Sequence, residues 1–192
     1  MITVLLSSGH GAMVKGEYQT AGKRSPVWDD GTVLYEGEFN RAVKCRVMEL
    51  LAAAEVPYID INPEHKDIRR KTKINRANKY SRNSFLVEIH ANAGGGKGCE
   101  TFISPNASWN SKHLADIIMG QYALEFPAEA NRGVKEKAFD IVHDTFMPAA
   151  LIECFFMDNE RECKEFLMCA KGRDRIAQWI FKSIVNYIKT RR

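Results

Sequence analysis

The chain is predicted to be an α/β protein: a single domain with a twisted, mostly parallel (mixed) sheet of about six strands, flanked by helices on both faces. Two observations predict this. Short apolar runs of strand length alternate with longer segments patterned at the 3.6-residue helical period. Residues of one chemical kind also stand where three of those runs end. His10 follows Ile2-Thr3-Val4-Leu5-Leu6, His90 follows Phe85-Leu86-Val87-Glu88-Ile89, and Glu153 follows Ala149-Ala150-Leu151-Ile152. Open α/β sheets bind ligands outside the carboxyl ends of their strands, so three such ends converge on one region.

The first strand is expected over 2–7. Residues 11–35 follow as a long polar stretch carrying Gly16, Gly22, Gly31 and Pro26. Structureless loops of that length are uncommon and usually functional, so this one is expected to cover a substrate. A helix is expected over 36–54, with Phe39, Val43, Val47, Leu50, Leu51 and Ala54 on one face. A strand over 57–61 and a basic helix over 67–79 come next. The Arg69, Arg70, Lys71, Lys73, Arg76 and Lys79 of that helix read as a solvated face. A strand over 84–90 leads to the glycine-rich segment 92–98. That segment lacks the GK[ST] and following helix of a phosphate-binding loop, and reads as a flexible turn into a strand over 99–103. A helix over 111–126, strands over 139–142 and 149–153, and helices over 158–168 and 171–190 complete the pattern.

The 192 residues suit one domain with a sizeable core, and 45% hydrophobic with 27% charged residues is ordinary for a globular protein. A net charge of +4 is too weak to point to nucleic acid. It is what solubility requires, and it suits an anionic polymer such as a cell wall. Five cysteines, an odd number without a CxxC pair, argue against a disulfide framework and fit synthesis in a reducing cytosol. Residues 1–7 have no basic flank and no small-residue cleavage site, so they read as a strand and not as a signal peptide. No stretch is long enough to span a membrane. If the protein acts outside the membrane, something else must export or release it.

Two imidazoles and a carboxylate are the donor set of a catalytic zinc site, with a fourth position left for water. His10 lies between Gly9 and Gly11, which permit a tight turn and close backbone approach. Taken alone it also fits a surface loop. Glu36, with Glu17 and Glu38 as competitors, also fits an acid placed near a helix N-terminus by the dipole. His90 also fits a hydrogen-bonded core histidine. Glu153 is the most telling. A carboxylate between Ala149-Ala150-Leu151-Ile152 and Cys154-Phe155-Phe156-Met157 is costly to bury unless paired or metal-bound, and burial raises its pKa toward acid–base use. Cys154 is set aside as a nucleophile, because strand alternation points it away from Glu153. His143 stands near the same sheet edge and is a candidate for lining the cleft. His65 and His113 have no motif around them.

In this order along the chain, Ser8-Gly9-His10-Gly11, Glu36-Gly37-Glu38-Phe39-Asn40, Glu88-Ile89-His90-Ala91-Asn92-Ala93 and Met147 to Asn159, with the weaker Asn131-Arg132-Gly133-Val134-Lys135, form a set. The set resembles the zinc-dependent N-acetylmuramoyl-L-alanine amidases of the amidase-3 family, especially catalytic domains of bacteriophage endolysins. The resemblance covers nearly the whole chain. One departure is Ser7-Ser8 where many members have Asp-Pro. Members often carry a wall-binding domain, and none is expected within 1–192.

The resemblance implies that one Zn2+ is held by His10, Glu36 and His90, the family's glutamate standing four residues before an asparagine. It implies hydrolysis of the amide between the muramic acid lactyl group and L-alanine, with Glu153 as general base. Asn92 is expected to position a ligand or a substrate carbonyl, and Arg132 to pair with a stem-peptide carboxylate. The expected partner is peptidoglycan, with no nucleic acid and no stable membrane association. The protein is expected to be a monomer, made in the host cytoplasm and acting on the wall after release, as a phage lysin does. Two other readings are a zinc peptidase acting on a different amide and a catalytically silent wall-binding module. A pure binding module has no use for Glu153.

Overall fold

A computed structural model of the protein describes residues 2–80 and 83–191; Met1, the start of the first apolar run, lies outside the described residues. The chain opens with β1 (Thr3–Ser8), a small hairpin of β2 (Met13–Val14) and β3 (Glu17–Tyr18), and α1 (Glu36–Ala53). Next come β4 (Tyr58–Asp60), α2 (Arg70–Asn78), β5 (Ser84–Asn92), β6 (Cys99–Ile103) and α3 (Trp109–Glu125). It closes with β7 (Asn131–Glu136), α4 (Asp140–His143), β8 (Ala149–Phe156), α5 (Glu160–Glu162), a π-helical turn at Cys163–Met168, and α6 (Ala170–Thr190). Six strands form one sheet in the order β4-β1-β5-β8-β6-β7; among the described residues β6–β8 is its one antiparallel pairing, so β6 and β7 run opposite to the other four strands. The expected α/β architecture with a mixed, mostly parallel six-stranded sheet is therefore present.

Strand alternation divides the core into two unequal layers. Val4, Leu6, Phe85, Val87, Ile89, Ala150 and Ile152 face α1, α3 and α6, where Trp179, Tyr187, Phe39 and Tyr122 are fully buried. Leu5, Leu86, Ala149 and Leu151 face the short helices α2 and α4 through Ile74, Ala77, Ile141 and Val142. The thin layer leaves the carboxyl ends of β5 and β8 partly uncovered on that side. Leu86, Glu88 and His90 share this face, as do Leu151 and Glu153.

Several elements differ from the sequence expectation, each for a packing reason. Residues 139–142 are not a strand: Asp140–His143 is the short helix α4, whose Ile141 and Val142 bury into the thin layer. The edge strand is instead β7, which carries Asn131, Arg132, Lys135 and Glu136 and shows no apolar alternation because it has a neighbour on one side only. Residues 158–168 form one capped α-turn followed by a π-helical turn, not a continuous α-helix. Residues 11–35 are tied down along their length. Gly11 donates to Thr20 Oγ1, Met13 to Glu38, Gly37 to the Tyr18 hydroxyl, and Ser25 to the Leu34 carbonyl. The glycine-rich turn is held as well: the amides of Gly94 and Gly95 donate to Asp158 Oδ2, and that of Gly98 to Glu162 Oε1.

β5 and β8 run past His90 and Glu153 instead of ending at them, whereas β1 stops two residues before His10. β8 continues from Glu153 to Phe156 through a bulge: His90 pairs with Glu153, yet Asn92 pairs with Phe156. The extra residue is absorbed near Phe155, a non-glycine with φ of +51°. A β-bulge beside a functional residue re-aims side chains and strengthens the local twist. The strain is offset by burial: Phe155 is fully buried, with its ring stacked on Phe166 at 4.2 Å and edge-on to Phe126. Phe155→Ala is expected to lower unfolding free energy by about 3–5 kcal/mol, measurable by urea titration followed by circular dichroism.

Candidate functional site

β1 ends at Ser8, and the turn after it is shaped by Asn62. The Asn62 side chain accepts from the Ser8 amide at 3.1 Å and donates to the Ser8 carbonyl at 2.8 Å. His10 itself takes the left-handed conformation, with φ of +61°. The flanking glycines permit the close approach expected of them. A Cβ on Gly9 would stand 2.0 Å from Cε1 of the His90 ring, so Gly9 is the floor on which that imidazole lies. A Cβ on Gly37 would stand 1.9 Å from the Gly11 carbonyl oxygen, so the first turn of α1 abuts the His10 turn directly.

Glu36 is the first residue of α1 and is only 2% exposed. Its two carboxylate oxygens divide between the imidazoles: Oε2 lies 3.3 Å from His10 Nε2, and Oε1 lies 3.0 Å from His90 Nδ1. Burial alone would raise the pKa of this carboxyl. Its bonds to His10 and His90 hold it well below the usual carboxylate range instead. Asn40, one turn later, donates to the Gly9 carbonyl at 3.1 Å and so ties α1 to the turn. The competing Glu38 faces the Met13 amide, away from the imidazoles.

One donor atom from each of His10, Glu36 and His90 lies within 4.8 Å of the others. A tetrahedral ion with bonds of about 2.0–2.2 Å needs donors spaced by roughly 3.5 Å. The set therefore fits a divalent ion with nitrogen and oxygen ligands, and it leaves a fourth position open. The imidazole planes stand at 88° with centroids 5.1 Å apart, and each ring presents one nitrogen to Glu36.

Glu153 sits on β8 in direct register with His90 on β5, and with Glu100 on β6 on its other side. Its Oε2 is buried with no hydrogen-bond partner among the described residues. Buried polar atoms are nearly always satisfied, so an orphan facing a cleft marks a place for chemistry. Burial pushes the Glu153 carboxyl up to about 7; His90 opposes the shift, and the charges of Glu36 and Glu100 add to it. Glu100 is treated in the opposite way. Asn92 Nδ2 at 2.8 Å, Arg132 Nε at 2.6 Å and Lys135 Nζ all meet its carboxylate. Burial would raise its pKa, but Lys135 and Arg132 hold it below the usual range. Neighbouring carboxylates pushed apart in this way are the arrangement in which one serves as acid–base catalyst.

These groups open on a cleft of about 710 Å3, lined by His10, Glu36, His90, Asn92, Glu153 and Lys23 among others. Of the substrate-binding candidates, Asn92 lies in this cleft. Arg132 is about one-third exposed beside it, with its guanidinium 5.0 Å above the Phe156 ring. His143 is not brought there: it is exposed and hydrogen-bonds Ser104 Oγ at 2.8 Å, beyond the end of β6. Near one edge of the sheet in sequence, it lies at the opposite end in space. Cys154 is fully buried on the other face, as alternation predicts, and burial pushes its thiol well above the ordinary value. Sequence reasoning missed Lys23, Glu100 and Lys73. The first two carry no local signal. Lys73 was read with the solvated basic face, but it is 5% exposed and paired with Glu88. Glu88 had a signal, as the lone charged residue in an apolar strand.

Two imidazoles, a clamped carboxylate and an unpaired carboxylate on one cleft define a hydrolase-like α/β domain with a candidate metal centre. The family model for N-acetylmuramoyl-L-alanine amidase matches residues 4–186, and the chain belongs to that family. It is 28% identical over 191 residues to the N-acetylmuramoyl-L-alanine amidase LytC of Bacillus subtilis (strain 168), covering 97% of this chain and 36% of that protein. The chain thus spans about a third of the length of this curated relative. Among solved structures it superposes on the N-acetylmuramoyl-L-alanine amidase from Clostridium difficile 630 with a TM-score of 0.86 at 25% identity, covering 100% of this chain and 98% of that one. On the catalytic domain of the amidase CwlV from Bacillus (Paenibacillus) polymyxa var. colistinus the TM-score is 0.81 at 26% identity, with both chains fully covered. Among the described residues no helix is long and apolar enough to cross a membrane.

Because Gly9 is the floor under His90, Gly9→Ala is expected to keep the circular dichroism spectrum of the fold. It should also weaken binding of a divalent metal by more than about tenfold, as read by chelator competition.

Proposed function

We propose that the protein is a zinc-dependent peptidoglycan hydrolase that cleaves the amide between N-acetylmuramic acid and L-alanine. The observation that carries the reading is the placement of the orphaned Glu153 carboxylate on the strand beside His90, at a cleft that also holds His10 and Glu36. His10 through Nε2, His90 through Nδ1 and Glu36 through its carboxylate would hold the ion. Zinc there would supply Lewis acidity, lowering the pKa of a water and polarising the scissile carbonyl. Glu153 takes the proton of the attacking water on its carboxylate and delivers it to the leaving amine nitrogen of alanine. A carboxyl tuned near 7 suits both halves of that transfer. The buried Glu36 keeps its charge between the imidazoles and does not compete for the proton. Asn92 anchors Glu100 and lies where a substrate carbonyl could be oriented. The exposed face of Arg132 is offered to a carboxylate of the stem peptide.

Three outcomes are expected. Purified peptidoglycan treated with zinc-loaded protein should gain L-alanine amino termini and no new reducing sugar ends. Glu153→Ala should retain bound zinc and release those termini about 10²–10⁴-fold more slowly. Zinc-replete wild type that releases none would overturn the reading in favour of another amide or a binding module. Arg132→Ala should raise KM for a soluble muropeptide about tenfold or more, as expected for a charge-assisted hydrogen bond of about 1.5–3 kcal/mol. An unchanged KM removes Arg132 from substrate binding.

The phage-lysin setting rests on the motif resemblance. The solved catalytic domain of the CD27L endolysin shares the fold, with a TM-score of 0.73 at 23% identity. LytC is a bacterial amidase. Lysis of host cells when the chain is expressed together with a membrane pore-former, and not without it, is the outcome expected of a lysin.

A further inference from the structure

Behind the His90 imidazole lies a buried ion pair that the proposed amide chemistry does not itself require. Lys73 Nζ stands 2.5 Å from Glu88 Oε1, and both side chains are almost wholly withdrawn from solvent. The same Glu88 oxygen lies 3.3 Å from His90 Nε2. On its opposite edge the ring presents Nδ1 to Glu36 at 3.0 Å. Glu88 and His90 are two residues apart on β5 and therefore face the same side of the sheet. Lys73 reaches down from α2 and also donates to the Ser8 carbonyl at 3.3 Å. One ammonium thus ties two strands together, at a point two residues before His90 and two residues before His10.

Such a pair is a poor device for stability alone. Two charges withdrawn from water are seldom repaid by their mutual attraction, and well-packed apolar residues of similar volume do as well or better. Glu88 Oε2 is buried with no partner among the described residues, so even the pairing is incomplete. What the pair does provide is a fixed acceptor beneath the imidazole. A neutral histidine has one nitrogen that donates and one that accepts. If Nδ1 is to offer its lone pair to an ion held between Glu36 and His10, Nε2 must carry the hydrogen, and that hydrogen needs an acceptor.

We propose that Glu88, held in place by Lys73, is a positioning residue of the metal centre: it accepts the Nε2–H of His90 and thereby fixes the tautomer and ring plane that present Nδ1 to the ion. The inference rests on the zinc reading above and extends it from the donor atoms to the groups that aim them. Lys73 supplies the countercharge and, through Ser8, holds the His10 turn at the same level. The orientation of His90 is then set from both sides, by the bare Gly9 below the ring and by Glu88 at its far edge.

The test uses the full chain and reads metal binding, not hydrolysis. Lys73→Met combined with Glu88→Leu replaces both charges with apolar groups of similar size. Glu88→Gln is the second variant, nearly isosteric and retaining a side-chain oxygen. For each, unfolding of the metal-free protein is followed by urea titration, zinc affinity by chelator competition, and ligand geometry by the visible spectrum of the cobalt-loaded form. The expected result for the double variant is metal-free stability equal to or above wild type, zinc affinity lower by about 10–100-fold, and an altered cobalt spectrum. Glu88→Gln should show a smaller loss of affinity. A folded variant that binds zinc as wild type does, with an unchanged cobalt spectrum, would overturn the proposal. So would an affinity loss far beyond 100-fold with a changed coordination number, which would make Glu88 a ligand. Failure of the amidase reading is separable, since wild type that binds zinc tightly but frees no alanine termini refutes that reading and leaves the positioning role standing. Wild type that binds no zinc refutes both.

Discussion

The carboxylate of Glu36 is the group around which the carboxyl end of the sheet is built. A carboxylate with 2% exposure is tolerated in a protein interior only when its oxygens are met by donors or by a metal. Here each oxygen faces an imidazole from a different segment, so α1, the turn after β1 and β5 must all hold their places at once. The close approaches serve that need. Gly9 leaves room for the His90 ring, Gly37 lets the start of α1 meet the His10 turn, and Asn40 ties helix to turn through the Gly9 carbonyl. The long segment between His10 and Glu36 follows from the same constraint. It is pinned by Thr20, Tyr18 and Ser25 because it must deliver both of its ends to one point.

The unequal faces of the sheet explain why a cleft exists there. Three long helices and most of the aromatic side chains cover one face. The other carries only the short helices α2 and α4, with Ile74, Ala77, Ile141 and Val142 as their main apolar contribution. Glu88, His90 and Glu153 project from that thinner side, and Glu36 and His10 reach the same cleft from the start of α1 and the turn after β1. Rigidity comes from the thick layer and access from the thin one: His90 and Glu153 stand on well-packed strands, Glu36 on a helix and His10 in a turn pinned by Asn62. The bulge in β8 just past Glu153, stabilised by the stack of Phe155 on Phe166, couples the packing of the thick layer to the local twist at the site.

Four carboxylates meet in this small region, and their surroundings assign them different behaviour. Glu36 is held anionic by two imidazoles, Glu88 by Lys73 and His90, and Glu100 by Lys135, Arg132 and Asn92. Among the described residues Glu153 is the one of the four with no hydrogen-bond or ion-pair partner, and burial, with the charges of Glu36 and Glu100 adding to it, moves it the opposite way. A proton carrier is thus selected from chemically identical groups by what each one touches. Glu153 is the residue left free to exchange its proton.

Much of this was legible in the residues. The α/β class, the strands through Leu5, Leu86 and Ile152, and helices α1, α3 and α6 follow from periodicity, because apolar spacing reports which face of an element is buried. His10, His90 and Glu153 were singled out by residue type at the ends of apolar runs and Glu36 at the start of a helical pattern, and the structure brings them to one cleft. What a local pattern does not encode is which distant segments meet. β7 was invisible because an edge strand needs no apolar alternation. Phe139 to Val142 looked like a strand because four residues, Phe-Asp-Ile-Val, are too few to show a helical period. His143 was placed at the cleft by proximity in sequence and lies at the far end of the sheet by topology. Lys73 looked like one more cation on a basic helix, and the pairing with Glu88 that buries it arises only when α2 folds over β5. The sequence by itself determined the donor types, their order and the layered fold, because those depend on local periodicity and side-chain chemistry. Only the tertiary structure decided which carboxylate is clamped and which is free, because that depends on the charges that long-range packing places within a few ångströms of each one.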